Sequence, residues 1–236
     1  MDKMRIVLLF LFLFCGTFAE KAETKYPNGK LKESFYICKD KNQKEIRQGQ
    51  YFRYYENGRL AEEGFYKDGM KDSLWVEWGS NEKMLLQESW KNGLRNGKHA
   101  KWDSDGHLIE VGDFSNDKKD GAWKLNWIYI NERQKGYFRN DYKNGGWIES
   151  GSMKRTYRYI CSGEYLDGKK NGIWIEMCRP WDREFKSFQN QYYENGNLIK
   201  TEPNLELEKA YKKMLKNKGK TEDMQLKKLI EIYKWE

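Results

Sequence analysis

The run Asp117-Lys118-Lys119-Asp120-Gly121-Ala122-Trp123 decides the fold, because versions of it recur along the chain. Its Trp123 stands nine residues after the aromatic Phe114. The same spacing links Tyr66 to Trp75, Trp90 to His99, Phe138 to Trp147 and Tyr165 to Trp174. A small residue stands two places before each second member, at Ser73, Gly97, Gly121, Gly145 and Gly172, and Gly49 before Tyr51 extends the series. The steps between these small residues are 24, 24, 24, 24 and 27 residues. Self-similarity at such a period is the signature of a repeat array, in which each unit packs mainly on its neighbours.

Working outward, two kinds of turn punctuate each unit. Asn28-Gly29, Asn57-Gly58 and Asn195-Gly196, with Asp105-Gly106 as a variant, are expected to be type I′ hairpin turns, since Asn-Gly tolerates positive φ at both central positions. A second class comprises Lys67-Asp68-Gly69, Lys91-Asn92-Gly93 and Asp167-Gly168. Between turns lie rising strands such as 60–66, 84–90 and 108–114, and returning strands such as 74–78, 122–127 and 173–178. The reading is mainly β: an elongated antiparallel β-hairpin repeat array with a short C-terminal helical hairpin. A symmetric turn between Phe114 and Trp123 sets those two directly opposite, and likewise Tyr66 with Trp75 and Tyr165 with Trp174. The same register sets Cys161 opposite Cys178 and predicts a disulfide between them. Gly64, Gly112 and Gly163, two residues before the rising-strand aromatics, leave room for a neighbouring ring to lie down. Residues 38–48, 128–136, 149–158 and 179–190 interrupt the pattern and read as loops.

At the N-terminus, Lys3 and Arg5 precede an apolar run from Ile6 to Phe14, with Thr17 and Ala19 at the −3 and −1 positions of a cleavage site. This is the layout of a secretory signal peptide cleaved after Ala19, and nine apolar residues fall short of the roughly 20 of a spanning helix. Lipidation at Cys15 is disfavoured by the bulky Phe14 before it. The domain plan is therefore signal peptide 1–19, β-repeat domain 20–202 and helical cap 203–236. In the last segment Leu207, Tyr211 and Met214 form one helical stripe, and Leu226, Leu229, Ile230 and Tyr233 a second.

The composition is 38% hydrophobic, 16% aromatic and 34% charged, so aromatic rings rather than aliphatic chains must supply the core. The formal charge of +8 permits contact with acidic lipids or proteins, although interspersed Lys and Glu on exposed strands account for most of it. The two histidines, His99 and His107, do not cluster with cysteines into a zinc-ligand pattern, and no phosphate-binding motif occurs. No catalytic residue, cofactor or metal is expected. His99 takes the place of a repeat Trp and reads as a structural substitution, while Glu62, Glu88 and Glu110 recur along the rising strands as solvated or Lys-paired carboxylates.

The run from Tyr54 to Trp75, with Asn57-Gly58, Leu60, Glu63-Gly64, Tyr66, Lys67-Asp68-Gly69 and Trp75, resembles the bacterial variant of the MORN repeat. Gly163 to Trp174 matches its second half and Tyr192 to Leu198 its first, so the resemblance spans roughly residues 26–200. Many bacterial members are described as antitoxins of toxin–antitoxin systems, and eukaryotic relatives as scaffolds that touch membranes. The resemblance implies a protein-interaction module, antitoxin- or immunity-like, and the N-terminal segment departs from a cytoplasmic antitoxin by implying export, to the periplasm or secreted; with no catalytic constellation in the chain, the module is read as non-catalytic. The alternatives are a binder of envelope glycans or a scaffold on an anionic membrane surface. A protein partner is expected and nucleic acid is not. Tyr66, Trp75, Trp90, Phe114, Trp123, Phe138, Trp147, Tyr165 and Trp174 are the candidate binding or packing aromatics.

Overall fold

The structure, a computed structural model, describes residues 19–127, 132–153, 157–180 and 184–217, with Asp223 and Lys227. The strands are β1 (Glu20–Lys25), β2 (Leu31–Lys39), β3 (Glu45–Tyr54), β4 (Leu60–Lys67), β5 (Met70–Trp78), β6 (Met84–Lys91), β7 (Leu94–Trp102) and β8 (Leu108–Ser115). They continue as β9 (Lys118–Trp127), β10 (Glu132–Arg139), β11 (Tyr142–Met153), β12 (Tyr157–Leu166), β13 (Lys169–Pro180), β14 (Ser187–Glu194) and β15 (Asn197–Pro203). One helix comes after them among the described residues, α1 (Leu205–Lys216). The 15 strands hydrogen-bond in strict chain order, every described pair antiparallel. The mainly β hairpin array read from the 24-residue period is the observed fold. The chain divides into two compact units: residues through Leu85 with Ser89–Leu94, and Leu86–Glu88 with Arg95 onward.

The turns exchange the roles expected of them. Two-residue turns with positive φ at both positions occur at Asp68-Gly69, Asn92-Gly93, Asn116-Asp117, Asn140-Asp141, Asp167-Gly168 and Asn195-Gly196. At Asn28-Gly29 and Asn57-Gly58 only the glycine is left-handed. There Gly29 N–H donates to the Tyr26 carbonyl and Tyr26 N–H to the Lys30 carbonyl. This is a three-residue loop closed by a glycine bulge, so of the turns expected to be type I′ on Asn-Gly, only Asn195-Gly196 is. Residues 38–48 form no inserted loop: β2 and β3 continue to Lys39 and from Glu45, with Gln43 at the left-handed corner.

The hairpin register also differs from the symmetric one. The turn before Trp123 is Asn116-Asp117, so Phe114 opposes Lys119 and Asp113 opposes Asp120. The register then shifts, and Val111 pairs with Lys124. Gly121, at φ +85°, lies in the stretch of β9 where the two extra residues are absorbed. Ser73, Gly97, Gly145, Gly172 and Gly49 are all left-handed too. Hence Tyr66 opposes Lys71 rather than Trp75, and Tyr165 opposes Lys170 rather than Trp174. The disulfide expectation falls with the same shift. Cys161 opposes Glu176 and Cys178 opposes Tyr159, which sets the two cysteines diagonally and outside bridging range. Both are free thiols. Cys38 is disulfide-bonded.

In the second unit the two faces of the sheet are packed differently. One face carries a cluster of Phe114, Trp123, Leu125, Trp147, Cys161 and Trp174. On the other, Ile160, Met177 and Phe188 pack against Leu207, Tyr211 and Met214 of α1. These helix residues are the stripe expected from their spacing, and Asn204 caps the helix by accepting from Leu207 N–H at 2.9 Å. The helix covers a sheet face rather than the last edge, since every residue of β15 is exposed. The second helical stripe lies outside the described residues, and so does the signal segment except Ala19. No described helix is long and apolar enough to cross a membrane.

Candidate functional site

The aromatic face is built from one repeated device. In each of several units a glycine without a side chain sits between rings on its two neighbouring strands. Gly64 is opposite Tyr51, Gly112 opposite His99, Gly136 opposite Trp123 and Gly163 opposite Trp147. From the other side Trp75, Trp123, Trp147 and Trp174 lie flat over the same glycines, where a Cβ would overlap their indoles. Gly64, Gly112 and Gly163 thus do what the sequence suggested. The expected aromatic pairs touch edge to face rather than directly opposite: Tyr66–Trp75 at 5.0 Å, Phe114–Trp123 at 5.2 Å, Phe138–Trp147 at 5.0 Å and Tyr165–Trp174 at 5.2 Å. Each indole N–H donates to a carbonyl on the preceding strand, as Trp123 Nε1 does to Asp113 at 3.0 Å. Trp147 and Trp174 repeat this with Tyr137 and Glu164.

A cation roofs each ring. Lys71, Lys119, Lys143 and Lys170, each four residues before its Trp, place Nζ 3.9–4.3 Å from the indole centroid. Arg47 lies over Tyr51 at 5.0 Å. Carboxylates hold the cations in turn: Glu62 binds Lys71 at 3.1 Å, Glu110 binds Lys119 at 2.9 Å, and Glu149 binds Lys143 at 2.6 Å and Lys170 at 3.4 Å. These attractions outweigh burial and hold the Glu149 carboxyl below its ordinary range. Trp123 and Trp147 are 1% exposed and Trp174 fully buried, so their rings are core and offer no stacking platform. Trp90 is half-buried beneath Lys71, at 5.2 Å.

One rung departs from the pattern. Glu88 stands two residues before Trp90, the place that Gly64, Gly112 and Gly163 hold in their strands. His99 holds the ladder place of Trp123. Glycine and tryptophan are therefore replaced together. His99 is 4% exposed, with Nδ1 3.0 Å from Glu88 Oε1 and Nε2 3.2 Å from Glu110 Oε1. Its ring lies 5.4 Å from Trp123, tilted 30°, and meets Phe114 edge-on at 5.1 Å. Burial alone would lower the histidine pKa, but hydrogen bonds to Glu110 and Glu88 outweigh it and raise it. The hydrogen bond from His99 brings Glu110 down to about 2, against burial and with help from Lys119. By sequence Glu88 groups with Glu62 and Glu110. The signal that separates it is its offset of two positions from theirs, visible once the units are aligned on Trp.

His107 is exposed, and its Nδ1 is 3.1 Å from Asp103 Oδ2. With Asp105 these residues bring three ligand-type atoms within 4.8 Å, a cluster not seen from sequence. Asp103 Oδ1 already accepts from the backbone N–H groups of Asp105 and His107, which makes it a turn cap.

The opposite face holds a cleft of about 520 Å³ lined by Lys98, Val111, Asp113, Ala122, Lys124, Lys135, Tyr137, Gly146 and Ile148. The residue just before each ladder position is Leu74, Lys98, Ala122, Gly146 or Ile173. Ala122 and Gly146 are the small ones and hollow the surface there. A Cβ at Gly146 would meet nothing within 4 Å and its backbone is not left-handed, so neither packing nor conformation requires a glycine. Tyr137 stands at the cleft 59% exposed. Lys98 is paired with Asp113 at 3.0 Å.

Residues 47–68, from near the start of β3 into the turn after β4, match the MORN repeat variant family. The chain thus carries a MORN repeat in the hairpin that places Gly64 between Tyr51 and Trp75. No curated protein matches the chain.

Proposed function

We propose that this MORN-repeat chain is an exported, non-catalytic protein-interaction module of antitoxin- or immunity-like type. The observation that carries the reading is the division of labour between the two sheet faces. The Trp ladder is buried under its own lysines, while the opposite face presents the Ala122–Gly146 cleft beside an exposed Tyr137. A rigid sheet with a hollow beside an exposed tyrosine suits an aromatic or aliphatic anchor from another polypeptide. Glycan stacking draws less support, because Trp123, Trp147 and Trp174 are covered. Membrane attachment by basic charge draws less support too, because Lys71, Lys119, Lys143 and Lys170 are engaged with rings and carboxylates. Export rests on the N-terminal segment.

The test is site-specific crosslinking. A photoreactive residue in place of Tyr137 should give a discrete covalent adduct with a polypeptide in the periplasm, and one in place of Tyr26 should not. Parallel sedimentation with wall glycan and with anionic vesicles separates the alternatives. Binding to either of those, with no polypeptide adduct at Tyr137, overturns the proposal.

A further inference from the structure

The Glu88–His99–Glu110 rung is a polar insertion in an otherwise aromatic ladder, and its two replacements occur together. A histidine alone in place of Trp would leave a void over the glycine. Glu88 fills that space and aims its carboxylate at Nδ1. A neutral imidazole carries one N–H, so one nitrogen would turn its lone pair toward a carboxylate oxygen. Only the imidazolium donates to both Glu88 and Glu110.

We propose that these three residues form a proton-operated clasp: protonated His99 on β7 ties Glu88 to Glu110 of β8 through both ring nitrogens, and loss of that proton releases the tie and loosens β7 and β8 within the second unit.

The charged groups around His99 fit this role. Glu88 comes from β6 and Glu110 from β8. Lys119 of β9 binds the far oxygen of Glu110 and lies over Trp123 rather than over the imidazole. Arg95 of β7 is held by Asp117 and stacks on Phe114. Lys101, the next residue of β7 on that face, opposes Glu110 and is exposed. Two carboxylates therefore touch the ring, while Lys119 lies over Trp123 and Arg95 is held by Asp117. The raised histidine pKa agrees with this arrangement. With the folded value above the unfolded one, the clasp is complete below the unfolded histidine value near 6.5 and is lost as pH rises through the folded value. On the acid side the Glu110 arm of the clasp persists until that carboxyl is protonated, near 2.

Two measurements on the full chain test the clasp. The His99 Cε1–H resonance gives its titration midpoint, and amide exchange of β7 and β8, corrected for intrinsic rates, gives the opening constant against pH. His99 is expected to titrate above 6.5. The opening constant should rise by up to about tenfold per pH unit between that reference and the observed midpoint. In Glu88→Gly/His99→Trp, which restores the pair used elsewhere in the ladder, this pH dependence should vanish. Glu88→Gln, a gentler change, should lower the His99 midpoint and flatten the slope. A wild-type midpoint at or below 6.5 overturns the proposal. So does an equal slope in the double variant, or a midpoint unmoved in Glu88→Gln.

Discussion

Three glycines that look alike in sequence should respond to alanine in three different ways. At Gly112 a methyl group would intrude on the Trp123 indole, which is buried and hydrogen-bonded through Nε1 to Asp113. Overpacking a fixed core ring costs about 1–3 kcal/mol, bounded above by the roughly 3–5 kcal/mol of losing the ring's packing altogether. Gly121 has open space but a φ of +85°, so alanine there costs only the left-handed penalty of about 1–2 kcal/mol. Gly146 has neither constraint, and alanine should stabilise by about 0.4–1 kcal/mol through the unfolded chain. Urea denaturation followed by tryptophan fluorescence reads all three. With a slope near 2 kcal/mol per molar, each 2 kcal/mol moves the midpoint by about 1 M. A cycle combining Gly112→Ala with Trp123→Ala should show a coupling above about 0.5 kcal/mol, because the methyl group no longer meets a ring. If Gly112→Ala unfolds at the same urea concentration as Gly146→Ala, the ring does not lie over the glycine and the ladder reasoning fails.

Trp123→Ala should cost about 3–5 kcal/mol in thermal or chemical unfolding, and a wild-type melting curve would mean the ring is exposed. His99→Ala should come closer to that cost than a lone histidine would, since it leaves Glu88 and Glu110 without their shared cation; its deficit should shrink in alkali, where the wild-type clasp is itself open. Native Cys161, buried and with its thiol pushed up in pKa, should resist iodoacetamide at pH 8 until urea is added. Cys178, pushed up to about 12 by burial and Glu176, should react slowly. Recovery of a Cys161–Cys178 bridge on non-reduced mass mapping would refute the register.

The array itself is legible in the sequence because its signals are local and periodic. The 24-residue step, the turn dipeptides and the glycine opposite each ring all sit in fixed places. Register is not legible, for a physical reason. Gly121 and its equivalents announce a residue with unusual φ, but sequence does not say that two residues are absorbed there. Centring each turn midway between its aromatic pair, instead of at Asn116-Asp117 or Asp167-Gly168, shifts the partners in those hairpins and makes Cys161 and Cys178 look opposite when they are diagonal. The buried rung is half legible. His99 stands out as a missing Trp, whereas Glu88 reads as one more strand carboxylate because its offset is a property of alignment, not of composition. The cleft escapes notice because Ala122 and Gly146 are conspicuous only against Leu74 and Ile173 in the same place of other units.

The cation, ring and glycine of each rung are handed on by strands one step apart, so the pattern is indifferent to how many times it is repeated. Excising a 24-residue block such as 122–145 joins Gly121 to Gly146, and Gly121 is then still two places before a tryptophan, now Trp147. Chains of different length can descend from this one by unequal exchange between units with their rungs intact. The exception is any exchange whose boundary falls between Glu88 and His99. It would set a carboxylate beneath an indole in one product and an imidazole over an empty glycine in the other. These two residues, eleven apart, are inherited as one character.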